Sequence, residues 1–363
     1  MLNDLNHISF EKRRLFRMPS FSNRKWGLRK KFQTLFPPMP DICSRVSTFF
    51  KYYLTPKVPR LPSNSLPNQF FPLGYDPALR YNEIQVKVAH NSVEHYHKWS
   101  LIDQISYDPK APWNGGCLGV ELDLVQDPHK IGINENWGFF VQHGGSYSNE
   151  QQTLTEALQR LARWSDSNPE HHVMTVHFDL KETCSFGDNE LFAEKIDEIL
   201  VNSIGRKRIF TPYELQGEET SLLEAVQTNG WPSLERLKGR FIFVLTGKDE
   251  DDGIGERRDH YVSGGKRRMA FVDIDQRALC STEDYAGDDC CHPYFHRGDR
   301  VFLNIKRGFG RWEKLSRDSH SLKFVTRLWK ANNKEQWNQA LHAKIHLIST
   351  DKIFSCKWTA NFA

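Results

Sequence analysis

Gly119-Val120-Glu121-Leu122-Asp123, with Val88-Ala89-His90-Asn91-Ser92 about thirty residues before it, decides how this chain is read. Each stretch is an apolar run that ends in groups with chemistry. In an extended strand, residues i and i+2 project to the same face. Glu121 and Asp123 are therefore expected to point together. Carboxylates so placed grip hard cations and serve the chemistry of phosphate esters.

Working outward, short runs rich in Val, Ile and Phe recur at 84–89, 118–124, 173–180, 207–210, 240–246, 269–274, 301–305, 323–329 and 345–349. Several are nearly continuous in apolar residues, as parallel strands covered on both faces are. Helical patterns lie between them. Gln152 to Trp164 places Leu154, Ala157, Leu158, Leu161 and Ala162 on one face, and Asn189 to Asn202 does the same with Leu191, Phe192, Ile196, Ile199 and Leu200. Leu222–Val226, Ser233–Leu237 and Glu335–Leu341 are shorter patterns of the same kind. This alternation predicts an α/β fold, a TIM-type (β/α)8 barrel. Nine runs are one too many for eight strands, so one is an excursion, with 207–210 and 301–305 the two choices.

The 363 residues, 39% hydrophobic and 12% aromatic, suffice for a substantial core. The net charge of +4 is uneven: residues 1–60 hold thirteen Lys and Arg against three acids, which leaves the remainder acidic. Residues 1–75 read as a basic, Pro-containing tail and linker, largely disordered or carrying short amphipathic helices, and 80–355 as the barrel. Basic residues interleaved with Phe, Trp and Leu in the tail suit an anionic membrane surface, and the other reading is a plain disordered or targeting segment. The acidic body argues against a nucleic-acid partner. No apolar run reaches the roughly 18 residues a spanning helix needs, and the basic first 30 residues lack the apolar centre of a secretory signal. The expected location is cytoplasmic or peripheral to a membrane, with export by a non-standard route left open. Seven cysteines without a CxxC pair give no zinc or redox motif. Free thiols are one reading, and a disulfide from Cys280 to Cys290 or Cys291 the other.

In a barrel of this kind, chemistry sits at the carboxyl ends of the strands. His90 and Asn91 end the first run, Glu121 and Asp123 the second, and Asp179 with Lys181 the 173–180 run. Phe139-Phe140-Val141-Gln142 leads into His143-Gly144. In this order the residues resemble the catalytic domain of phosphatidylinositol-specific phospholipase C, in its calcium-dependent, bacterial-type branch. That family opens with His-Asn-Ser/Thr-Tyr, and here Val93 stands in place of the tyrosine. Glu121-Leu122-Asp123 matches the family's second strand in full, His143-Gly144 its second histidine and Asp179 its third-strand acid. Gly247-Lys248 and Arg327-Leu328-Trp329 are similar to its later headgroup contacts, with Trp329 where the family has tyrosine.

The resemblance implies a Ca²⁺ cofactor held by Asn91, Glu121, Asp123 and Asp179. It also implies an enzyme that cleaves a phosphoinositide to diacylglycerol and an inositol cyclic phosphate. The inositol 2-hydroxyl attacks phosphorus, His90 contacts the phosphate and His143 is the acid. Glu121 or Asp179 is the base, and Lys181, Lys248, Arg327 and Trp329 meet the headgroup. Two other functions stay open. A glycerophosphodiester phosphodiesterase shares the Glu-x-Asp and the second histidine but follows its first histidine with Arg-Gly. A non-catalytic lipid-binding relative is the third reading.

Each residue also has a plainer reading. An isolated His-Asn is noise, and Glu-x-Asp is often a solvated strand face. His177 is expected to face away from the functional residues or to pack structurally, and His95 and His97 to lie on the surface. Lys181 either contacts the headgroup or pairs with the acids. Asp273 and Asp275 either support the site or are structural, and the acidic loop 249–253 reads as solvated charge.

Overall fold

The computed structural model describes residues 76–92, 99–108, 110–111, 113–126, 138–142, 152–181, 189–247, 253–276, 297–307 and 311–359. The tail 1–75, Val93, His95, His97, His143, Lys248, the loop 249–252 and Cys280, Cys290 and Cys291 lie outside the described residues.

The described residues form ten strands: β1 (Val86–Ala89), β2 (Gly119–Gln126), β3 (Phe139–Val141), β4 (Gln152–Thr153), β5 (Met174–Leu180), β6 (Phe241–Thr246), β7 (Phe271–Asp275), β8 (Phe302–Lys306), β9 (Val325–Trp329) and β10 (Leu347–Thr350). Eight of them, all but β3 and β4, form a closed parallel barrel in the order β1-β2-β5-β6-β7-β8-β9-β10, with β10 returning to β1. This is the TIM-type α/β architecture expected from the alternation. The excursion is 207–210: Arg206–Arg208 make a 3-10 turn and Ile209 a single bridge to Phe241, whereas 301–305 supplies β8.

Strands β3 and β4 add an antiparallel flap. β3 pairs with the far end of β2, Leu124 opposite Val141, and the Gln142 N–H donates to Asp123 O at 2.9 Å. The flap thus anchors Gln142 at the rim where Asp123 stands.

Helices cover the barrel from outside. α1 (Leu101–Ile105), α2 (Leu154–Ser167) and α3 (Asn189–Ile204) pack on β2, β5 and β6, burying Leu158, Leu161, Ile196 and Leu200 against Leu122, Val176 and Phe243. α2 starts where Thr153 caps the Glu156 N–H and Glu156 reciprocates, a box that satisfies two otherwise orphaned donors. Farther along the chain come α4 (Pro212–Gln216), α5 (Leu222–Thr228), α6 (Leu234–Leu237), α7 (Ile254–Ser263), α8 (Trp312–Ser321) and α9 (Lys334–His342).

The amino-terminal end of the barrel is plugged. Tyr81 hydrogen-bonds Thr175 and packs on Trp231 with ring centroids 5.2 Å apart, and Trp231 meets Phe302 at 5.3 Å. Gly119 allows the strands to close at this level: a Cβ there would stand 2.9 Å from Thr175 O and 3.0 Å from a Val88 methyl. With one end filled by aromatic rings, polar side chains that point inward collect at the carboxyl end.

Candidate active site

The barrel register fixes which inward residues share a level. Ala89 is opposite both Thr350 and Val120, Glu121 is opposite His177, and Asp123 is opposite Asp179. His90, Glu121, Asp123, Asp179 and Arg327 therefore meet toward the carboxyl ends of four strands, β1, β2, β5 and β9, although they are scattered over more than two hundred residues of sequence.

Asn91 turns the chain out of β1 with φ of 51°, the left-handed region that asparagine tolerates better than other side-chain-bearing residues. In that conformation its backbone N–H donates to Glu121 Oε2 at 3.0 Å. Ser92 locks the same corner: its N–H donates to Glu121 O at 2.7 Å, and the Glu121 N–H donates to Ser92 Oγ at 3.3 Å.

Glu121 is 3% exposed and has three further electrostatic partners. Arg327 Nη2 is 2.9 Å from Oε1, His90 Nε2 is 3.6 Å from Oε2, and Lys181 acts from farther off. Burial alone would push this carboxyl up, but Arg327, His90, Lys181 and the Asn91 N–H outweigh it and hold Glu121 well below the usual carboxylate range. Asp179 behaves in the opposite way. Burial and the neighbouring charges of Glu121 and Asp123 raise it, and Lys181 only partly offsets them. Carboxylate oxygens of Glu121, Asp123 and Asp179 all lie within 4.8 Å of one another.

Lys181 sits on this cluster. Its Nζ is 3.0 Å from Asp123 Oδ1 and hydrogen-bonded to Asp179 Oδ2. Arg327 is 2% exposed: beyond Glu121, its Nε donates to Ser349 Oγ at 2.9 Å and its Nη1 to Asn304 Oδ1 at 3.2 Å. Lys181 and Arg327, two of the three cations that the sequence offered for the headgroup, are thus held by acids of the site. Trp329, half-buried at the end of β9, stacks nearly parallel on the His90 ring at 6.1 Å, and the Lys306 and Lys330 ammonium groups lie 5.5 and 5.4 Å from its ring centroid.

His177 does not face away, the first of the two placements expected for it. It stands two residues before Asp179 on the same strand, so it faces into the barrel rather than away, and Arg327 and Glu121 act on it there. Burial keeps its imidazole neutral. Asp273 is structural: it forms a fully buried pair with Arg258, which also donates to Gly247 O at 2.9 Å.

Two participants were not singled out from sequence. Asp351 Oδ1 accepts from His90 Nδ1 at 2.7 Å, and Asn332 fixes Asp351 by donating to its other oxygen. Asn304 joins Arg327 to Thr246, donating to Thr246 Oγ1 at 2.8 Å.

The comparisons bear on this geometry. Residues 139–292 match the family model described as phosphoinositide phospholipase C, Ca²⁺-dependent. A calcium-dependent phosphoinositol-specific phospholipase C from a Gram-negative Pseudomonas species superposes with a TM-score of 0.58 at 17% identity, over 79% of this chain and 97% of that one. The fold is that of a PI-PLC-like catalytic domain. The Ca²⁺-dependent phosphatidylinositol-specific phospholipase C of Streptomyces antibioticus gives a TM-score of 0.57 at 17% identity, over 78% of this chain and 98% of that one. No curated protein sequence matches the chain. Among the described residues, no helix is long and apolar enough to cross a membrane.

Proposed function

We propose that this protein is a calcium-dependent phosphodiesterase that cleaves phosphatidylinositol, or a phosphorylated form of it, to diacylglycerol and an inositol cyclic phosphate. The observation that carries the reading is the convergence of Glu121, Asp123 and Asp179 beside a carboxylate-oriented histidine, His90, at the open end of the barrel. Together with Asn91 these acids form an all-oxygen donor set, which suits a hard divalent ion. Burial, and after it the neighbouring charges of Glu121 and Asp123, raise Asp179. Asn91, Glu121, Asp123 and Asp179 would hold Ca²⁺. When bound, the ion would supply positive charge to the phosphoryl oxygens and acidify a coordinated hydroxyl.

The chain's own groups do the rest. The inositol 2-hydroxyl gives its proton to Glu121 or Asp179 as its oxygen bonds to phosphorus. The bond from phosphorus to the diacylglycerol oxygen breaks, and His143, one residue beyond the anchored Gln142, returns a proton to that oxygen. Nucleophile and phosphorus belong to one molecule, so orientation in the site contributes what a separate water would lose in entropy. His90, held by Asp351 at Nδ1, presents Nε2 to the phosphate. Trp329 offers a face for the inositol ring, flanked by Lys306 and Lys330 for anionic substituents. The barrel 80–355 carries the chemistry, and the basic tail 1–75 brings it to an anionic membrane surface.

Phosphorus NMR of the water-soluble product from phosphatidylinositol vesicles tests this. A five-membered cyclic phosphodiester signal that precedes any monoester supports the reading. Release of glycerol 3-phosphate from glycerophosphodiesters, with vesicles untouched, would replace it.

A further inference from the structure

The carboxylate cluster already contains a cation of the protein's own. The Lys181 N–H donates to Leu124 O at 3.0 Å, which fixes its backbone between β5 and β2. From there one ammonium spans two of the three acids, Asp123 and Asp179. Glu121 is served separately by Arg327, and that pair is nearly closed to solvent, with side chains 3% and 4% exposed. Lys181, in contrast, is 31% exposed at the mouth, on a flexible four-carbon stem. Arg327 is thus built in, whereas Lys181 is placed to leave.

The local charge says when it leaves. Three carboxylates against Arg327 and Lys181 leave one net negative charge. Adding a divalent ion with Lys181 in place would overshoot to one positive charge, with two cations sharing the Asp123 and Asp179 oxygens. Exchanging Lys181 for the ion brings the cluster to neutrality. We propose that Lys181 is an internal counter-cation that competes with Ca²⁺ for Asp123 and Asp179, and that the metal binds by displacing it. This rests on the metal-supported reading above. Displacement weakens the net affinity, because two ion pairs must be broken for each ion bound. It also frees an ammonium at the rim where the substrate phosphate arrives, so the two roles the sequence left open for Lys181 become two positions of one side chain.

Calorimetric titration of the full-length protein with CaCl₂ tests this. Lys181→Met should bind Ca²⁺ about tenfold more tightly than the wild type, and Lys181→Arg should stay close to it. A second measurement needs no variant: in the wild type, Ca²⁺ should speed acetylation of Lys181, followed by mass spectrometry, as the ammonium leaves the acids. Unchanged or weaker binding by Lys181→Met, or labelling that Ca²⁺ slows or leaves alone, would overturn the displacement while wild-type binding kept the metal site. Absence of Ca²⁺ binding in the wild type and in Lys181→Met would overturn both.

Discussion

His90 and Asp351 are joined across the seam of the barrel, Nδ1 to Oδ1 at 2.7 Å, though 261 residues separate them. β1 and β10 are neighbours only because the sheet closes. Asp351 accepts a hydrogen bond from Nδ1–H, which leaves Nε2 directed toward Glu121 and the phosphate site. Asp351→Asn should therefore lower turnover by roughly 10²-fold, the scale of contribution a positioned histidine makes. Circular dichroism and the thermal midpoint should stay near wild type. A full rate in this variant would remove His90 orientation from the account.

The Trp329 face makes a separate prediction. Trp329→Ala, and the double change Lys306→Ala with Lys330→Ala, should raise KM more than they lower kcat, because they bind substrate before and during reaction alike. The double change should matter more for a headgroup carrying extra phosphate than for plain phosphatidylinositol. Equal effects on both lipids would mean that the two lysines do not meet the headgroup.

The buried pair Arg258–Asp273 supports the barrel next to the site rather than the chemistry. Removing one partner of such a pair leaves a charge stranded in the interior. Arg258→Ala should cost about 3–5 kcal/mol of stability, measured by urea unfolding. A loss below about 1 kcal/mol would show that Asp273 finds enough compensation from Arg300, whose Nη1 donates to Asp273 O at 2.9 Å.

Acid should loosen the fold through its buried histidines. Burial pushes His171 and His172 down to about 4 and His346 down to about 3, from an ordinary 6.5. Between those values the unfolded chain holds protons that the folded chain does not. Stability therefore falls as pH drops from 6.5 toward 4, by up to about 1.4 kcal/mol per pH unit for each histidine. The thermal midpoint should decline steadily from pH 6.5 to 4.5. A midpoint flat over that range would contradict the burial of these neutral rings.

Much of this molecule can be read in its sequence because its strands are long, apolar and end in chemistry. Glu121-Leu122-Asp123 shows its shared face directly from the two-residue period. The same period also places His177 with Asp179 and Lys181, so the opposite facing expected for His177 neglected a rule already applied at Glu121. α7 and α8 escaped notice because polar residues occupy their buried faces: Arg258 is engaged with Asp273, Ser316 donates to Ala343 O, and Ser319 donates to Leu315 O. An apolar periodicity cannot reveal a face packed through hydrogen bonds. Asp351 and Asn304 left no local signal, since their partners His90 and Arg327 arrive through closure of the barrel and the alignment of β8 with β9.

The central claim is a metal-supported phosphodiesterase, and the most direct test is the rate of inositol phosphate release from phosphatidylinositol vesicles with Ca²⁺ and with excess chelator. The account predicts release that needs Ca²⁺, stops with chelator and returns when the ion is restored. Release at an undiminished rate in chelator would contradict the role given to Asn91, Glu121, Asp123 and Asp179.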